Sequence, residues 1–302
     1  LKMGFQAKKT NEVVDIETCQ VLPKHISDVL PMVKLLLQTL SDGGAAVRFV
    51  EFFNSRALVV LNICFIKKPS GYSLKQIETW FDKISGGVKQ VWQVWFQYGR
   101  EPSTALYPKD LPELKYGLPE FSIEMPYQPG DFTQINADLN AVMISRALRL
   151  LDIQHNDRVA ELFCGLGNFS LPMAKSGVSV TGIEGLDSLV LRARQNALRN
   201  SCVKYVSFEV ADLFETDEQT VASWGVFDKM LLDPPRSGAY AVVKSLHTPY
   251  LPKKIVYVSC NPSTFARDAE VLVNKGYNFK SAGIMNMFAQ TSHVESIGVF
   301  EL

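Results

Sequence analysis

Net charge is what this sequence most conspicuously lacks: 31 Lys and Arg stand against 31 Asp and Glu in 302 residues, so the formal charge is zero. That balance argues against a protein that holds nucleic acid through a global positive field, while leaving room for a local basic groove. No apolar run is long enough to span a bilayer, and 47% hydrophobic with 21% charged residues is the composition of a globular chain. Cysteine is sparse and unpatterned. Cys19, Cys64, Cys164, Cys202 and Cys260 form no CxxC pair, and their odd number argues against a disulfide framework and for a reducing, cytoplasmic setting. The amino end, LKMGFQAKKTNEVVD, has no apolar core of a secretory signal. It opens on Leu rather than Met, so the chain is expected to be a processed form or a segment with domains upstream. There is no internal repeat and no low-complexity stretch.

What is present falls into two grammars. Helical periodicity over 21–40 and 73–85 alternates with strand-like runs over 45–65, around an Asn54-Ser55-Arg56 turn, and over 88–98. This predicts a small α+β domain over 1–125, ending in the Pro-rich stretch 100–129. The catalytic domain is predicted over 126–302. There an amphipathic helix (136–151, with Leu139, Val142, Met143, Ala147 and Leu150 on one face) precedes short apolar runs at 158–164, 179–185, 205–213, 227–235, 254–260 and 295–302. Helical or loop-like spacers separate the runs. The pattern predicts βαβ crossovers in an α/β, doubly wound, mostly parallel sheet of the Rossmann-like kind.

Several strand ends carry chemistry. In ELFCGLGNFSLPMA (161–174), Gly165 and Gly167 permit a tight turn and close backbone approach to a ligand. Glu184 ends the next run, where a carboxylate can take ribose hydroxyls, and Asp212 ends the third, where an adenine would lie. A dinucleotide and S-adenosylmethionine both fit. The dinucleotide pattern wants a third glycine where Ser170 stands, and Asn168-Phe169 put bulk at the helix start, so the residues favour S-adenosylmethionine. Asp233, in LLDPPRSG, is aimed by the rigid Pro234-Pro235 pair, with a helix-capping turn as the plainer role. Arg236 occupies the place where an amino-methylating enzyme usually carries a base-stacking aromatic.

Cys260 ends the apolar run of IVYVSCNPSTFARD (255–268) and enters the crevice, where a thiolate can act; Cys64 and Cys202 read as packing residues. Glu295, among apolar residues after His293, is open to two roles: a proton acceptor with a raised pKa, or a salt-bridged structural residue.

Taken in order, FTQIN, ELFCGLGNFSLPMA, GIEG, LLDPPRSG, IVYVSCNPSTFARD and HVES resemble the RNA 5-methyluridine methyltransferases from Phe132 to the end of the chain. CGLGNFSLP and HVES resemble the bacterial branch that acts on 23S ribosomal RNA, whereas DPPRSG is a form associated with the transfer-RNA branch. The resemblance implies a covalent reaction. Cys260 would add to C6 of a flipped uridine, and Glu295 would remove the C5 proton. Gln134, Phe163, Gly165, Asn168, Glu184, Asp212 and Asp233 would form the cofactor and substrate shell. It implies 23S ribosomal RNA as partner, with no membrane and no obligate protein partner. VVDIETCQVL further resembles the segment bearing the last cysteine of a [4Fe–4S] cluster. That makes Cys19 a lone remaining ligand, its three companions and an RNA-binding module lying upstream; one cysteine cannot hold a cluster. The rival readings are another RNA target within the same family, a nicotinamide-dependent oxidoreductase, and a non-catalytic RNA-binding module.

Overall fold

A computed structural model describes residues 1–7, 10–85, 91–288, 290–291 and 293–302. Contacts divide the chain into two units, 1–115 with 126–130, and 116–125 with 131–302. The boundary read from sequence, between 125 and 126, therefore differs from this division by a short exchanged segment. Residues 116–125 go with the second unit because their polar groups are satisfied there. Asn200 accepts from the Glu124 N–H at 2.9 Å and donates to its carbonyl at 2.8 Å, and Tyr116 donates to Asn168 at 2.8 Å.

In the first unit, the helices Leu30–Asp42 and Gly71–Ser85 share a core with a four-stranded sheet of Val47–Asn54, Val59–Phe65, Trp92–Tyr98 and Thr104–Tyr107. The hairpin around Asn54–Arg56 forms as expected, antiparallel, and all seven residues of VVLNICF are buried. The helix expected over 21–40 begins only at Leu30, after a separate turn at Lys24–Ser27. Pro31 dictates that start, since proline fits the first turn but not a helix interior. Of the strand expected over 88–98, residues 88–90 lie outside the described residues.

The second unit is built on one seven-stranded sheet. Its strands are β1 (Arg158–Leu162), β2 (Ser179–Glu184), β3 (Val206–Val210), β4 (Lys229–Leu232), β5 (Lys254–Ser259), β6 (Asn278–Met285) and β7 (Glu295–Glu301). The order is β3-β2-β1-β4-β5-β7-β6. Strands β1 to β5 run parallel, and β7 is inserted antiparallel between β5 and β6. The helices are α1 (Ala137–Leu151), α2 (Ser170–Lys175), α3 (Asp187–Arg199), α4 (Glu218–Trp224), α5 (Tyr240–Ser245) and α6 (Pro262–Asn274). The strand order reverses between β1 and β4, the place where open α/β sheets bind ligands beyond their carboxyl ends.

Two details depart from the sequence reading. The buried stripe of α1 is Asn140, Met143, Ile144, Ala147 and Leu151, whereas Val142 is 53% exposed, so the face is rotated from the one expected. Strand β6 was not anticipated: NFKSAGIM lies on the sheet edge with its side chains mostly exposed and carries no apolar alternation. No described helix is long and apolar enough to cross a membrane.

Candidate active site

The loop after β1 is shaped by deviations from ordinary backbone at three alternate residues, with positive φ at Phe163 (63°), Gly165 (53°) and Gly167 (94°). Glu184, at the end of β2, holds it. One carboxylate oxygen accepts from the Gly165 N–H at 3.0 Å, the other from Gly185 and Leu186 at 2.8 and 3.1 Å. A side chain at Gly165 would meet nothing within 4 Å, so the loop presents bare backbone to open space, a cradle of the kind a ligand fills. Phe163 and Phe214 set their rings 5.7 Å apart beside it. Asp212 is exposed and accepts from the Phe214 N–H at 2.8 Å, which fixes the turn after β3.

Beneath the loop lies a group the sequence reading passed over. Glu161, in β1, is 1% exposed and accepts from the Ser170 hydroxyl and from the backbone N–H groups of Phe169 and Ser170. Burial pushes its pKa up to about 8, and the nearby charge of Asp233 adds to the rise. The signal was an acidic residue inside the apolar run RVAELF. Ser170, noted only as a missing glycine, is its partner.

Asn168 is placed differently from expectation. It exchanges amide hydrogen bonds with the buried Asn140, 2.9 Å each way, and accepts from Tyr116. Its polar atoms tie the Gly-rich loop to α1 and to the 116–125 segment. Gln134, in the stretch leading to α1, is half-buried with no hydrogen-bond partner among the described residues, between Phe132 (70% exposed) and Ile135 (78% exposed).

The second half of the crevice gathers Asp233 after β4, Cys260 after β5 and Glu295 at the start of β7. Ser259 pairs with Ser296 in the antiparallel ladder, and the Ser296 hydroxyl donates to the Ser259 carbonyl at 3.1 Å. The pairing ends there, with Cys260 and Glu295 the next residues on the two strands, and the Glu295 charge is felt at the Cys260 thiol. Cys260 is half-buried, in contrast to Cys64 and Cys202, which are packed away at 4% and 1% exposure.

Electrostatically this corner is a cluster of acids in which the acidic charges outweigh the cation felt at Cys260, Arg236. Burial raises the Cys260 thiol above its ordinary value of 9.0. The charges of Glu295 and Asp233 add to the rise, while Arg236 opposes it. Glu295, 4% exposed, is raised by burial. The Asp233 carboxyl is pushed up to about 8 by desolvation first and by Glu295 second. Neither the Asp233 nor the Glu295 carboxylate has a side-chain hydrogen-bond partner among the described residues. Of the two roles open to Glu295, the salt bridge is thus not found among them. Arg236 turns aside, one of its N–H groups donating to His293 Nδ1 at 2.8 Å. Chemically, the corner offers a nucleophile, a carboxylate next to it and a second carboxyl that holds a proton near neutral pH.

Cys19 lies in the first unit, half-buried against its core, with its N–H donating to Ser27. No described group of three or more His, Cys, Asp or Glu side chains is arranged to hold a metal ion. No catalytic step is derived through a cluster.

A family model for tRNA (uracil-5-)-methyltransferases matches residues 120–301. The chain is 60% identical, over its whole length, to the 23S rRNA (uracil(1939)-C(5))-methyltransferase RlmD of Neisseria lactamica, of which it covers 66%. It is 44% identical, over 99% of its length, to the protein of the same name from Chromobacterium violaceum, of which it covers 58%. In structure it is similar to the Pyrococcus abyssi tRNA (uracil-54, C5)-methyltransferase in complex with S-adenosyl-L-homocysteine. The TM-score is 0.70 at 23% identity, covering 96% of this chain and 70% of that one, a likeness of fold alone. The chain thus spans under two thirds of the length of the two relatives.

Proposed function

The chain belongs to the tRNA (uracil-5-)-methyltransferase family, and from that premise we propose that it transfers a methyl group from S-adenosylmethionine to C5 of a uracil in 23S ribosomal RNA. The observation that carries the reading is the placement of Cys260 beside Glu295 at the carboxyl end of the sheet, with neither side chain committed to a structural partner among the described residues.

The residues present fit the cofactor. The bare backbone at Gly165 and the Glu184 carboxylate would hold its ribose and amino-acid parts, and Phe163, Phe214 and Asp212 flank the place for its adenine. When bound, S-adenosylmethionine supplies an electrophilic methyl group on a positively charged sulfur. Everything else falls to the protein. Uracil C5 is a poor nucleophile, so the Cys260 thiolate adds to C6, and the C5–C6 electron pair shifts onto C5 and the C4 carbonyl. After C5 has been methylated, Glu295 takes the C5 proton. The pair from that C–H bond re-forms the double bond, and the C6–S bond breaks to return the thiolate. Asp233, and Gln134 as the family resemblance implies, would hold the base. C6 is attacked from the face of the ring, so the target nucleotide would leave its stack.

Ribosomal RNA, rather than transfer RNA, is supported by the names of relatives at 60% and 44% identity. The test is tritium release from 23S transcripts carrying tritium at uracil C5, with a transfer-RNA transcript in parallel. One tritium should reach water for each methyl incorporated, from the ribosomal transcript only. Release from the transfer-RNA transcript alone would overturn the assignment of target, and binding of a nicotinamide cofactor without release would overturn the reaction.

The Cys260 electrostatics give a pH dependence. With a thiol pKa above 9.0, the reactive thiolate is a minor species at neutrality. Its fraction rises about tenfold per pH unit below the pKa. The single-turnover rate of covalent addition is therefore expected to climb about tenfold per unit between pH 6 and 8. A rate flat over that range would show a thiol already ionised.

A further inference from the structure

Cys260 and Asp233 sit on different strands, and what fixes one loop against the other lies behind the site, in residues that touch neither. Three of the four residues in the loop 236–239 after Asp233 are hydrogen-bonded to the Cys260 side. The Arg236 carbonyl accepts from Asn261 Nδ2 at 2.9 Å and from the Thr264 hydroxyl at 3.1 Å. The Ser237 carbonyl accepts from Arg267 at 2.9 Å, and the Ala239 N–H donates to Asp268 Oδ2 at 2.7 Å. At Gly238, with φ of 78°, a Cβ would stand 2.6 Å from both the Arg267 guanidinium and the Asp268 carboxylate.

Asp268 is the centre of this clamp. It is fully buried in α6, yet carries a carboxylate shared by three donors on three segments. The same Oδ2 that takes the Ala239 N–H also accepts from the Tyr257 hydroxyl, in β5, at 2.6 Å. Arg267 donates to Oδ1 at 2.8 Å. Tyr257 is itself fully buried three residues before Cys260, and Asn261, directly after Cys260, caps α6 while donating to Arg236. A carboxylate so enclosed is strongly penalised if any donor is lost, so the three segments keep one arrangement.

We infer that Asp268, with Tyr257 and Arg267, is a positioning device that sets the Cys260 thiol in register with the Asp233 loop, and so with the C6 atom it attacks. The inference rests on the covalent reading above and extends it to residues outside the site. A displacement of about 1 Å in an attacking group costs about 100-fold in rate. Loosening the clamp therefore lowers the chemical step while leaving the cofactor cradle, built on β1 and β2, in place.

The experiment uses the full chain with RNA containing 5-fluorouridine and S-adenosylmethionine, and follows the covalent protein–RNA adduct, which fluorine at C5 prevents from resolving. Asp268→Asn, Tyr257→Phe and Gly238→Ala are compared with wild type, with cofactor affinity and melting temperature measured on each. The expected result is adduct formation slowed about 10- to 100-fold, with cofactor affinity within about twofold of wild type and the loss carried by the maximal rate of adduct formation, not by the RNA concentration that half-saturates it. Tyr257→Phe, which removes one hydroxyl and no bulk, decides the matter should Asp268→Asn fail to fold. Variants that fold and form adduct as fast as wild type overturn the inference alone. Absence of adduct in the wild type overturns the covalent reading, and the inference with it.

Discussion

Cys260→Ala is expected to abolish methyl transfer, lowering the rate on the order of 10^4-fold or more, and to leave no covalent adduct with 5-fluorouridine RNA. Effects of that size follow when a nucleophile is removed, because the reaction it divides into easier steps has no alternative path of comparable barrier. Here the uncatalysed alternative is direct attack by C5, whose electron density is insufficient without addition at C6. The substitution removes one half-buried thiol at the crevice and no hydrogen bond that holds a loop, since Asn261 and Ser259 make those. Cofactor binding should persist. Cys64→Ala and Cys202→Ala provide the contrast: both thiols are buried packing residues, so those variants should lose stability without losing adduct. A denaturing gel with labelled RNA reads all three. An adduct from Cys260→Ala would end the assignment of the nucleophile.

Much of this arrangement was legible in the sequence because apolar, β-branched runs ending in polar turns mark parallel strands, and their carboxyl ends mark the crevice. RVAEL, SVTGIE, KMLL and KIVYVS all form strands, and Cys260, Asp233 and Glu184 stand at their ends. What was not legible depends on partners far away in the chain. Asn168 looked like a ligand-binding side chain, but Asn140 and Tyr116 use its amide, and neither is near it in sequence. Glu161 was hidden inside a hydrophobic run, and its role emerges only when Ser170 folds back over it. Strand β6 has almost no buried face to leave a pattern, because it is an edge strand paired on one side, with β7. The rotated face of α1 has the same origin. Asn140 belongs to the buried stripe through its bond to Asn168, which a count of apolar residues does not register.

Glu295→Gln is expected to stop the reaction at its last step. Addition of Cys260 and methylation at C5 need no base at Glu295. The final elimination does, because the C5 hydrogen must leave before the C6–S bond can break. Glutamine keeps the size of the side chain in a position that is 4% exposed and accepts no proton at neutral pH. Turnover should fall by about 10^2- to 10^4-fold, the range for loss of a general base. The early steps should hold or gain. The Glu295 charge opposes ionisation of both Cys260 and Asp233, so its removal lowers the thiol pKa and enlarges the thiolate fraction at neutral pH. The two effects together predict accumulation. Ordinary RNA, with no fluorine, should remain covalently attached to Glu295→Gln, and the mass of the complex should equal protein plus RNA plus one methyl group, less the proton that the Cys260 thiol gives up when it adds to C6. An attached RNA without the added methyl would place Glu295 before the transfer step rather than after it. Release of product at the wild-type rate would pass the role of base to Asp233, a carboxyl whose charge is felt at Cys260 and which itself feels that of Glu295.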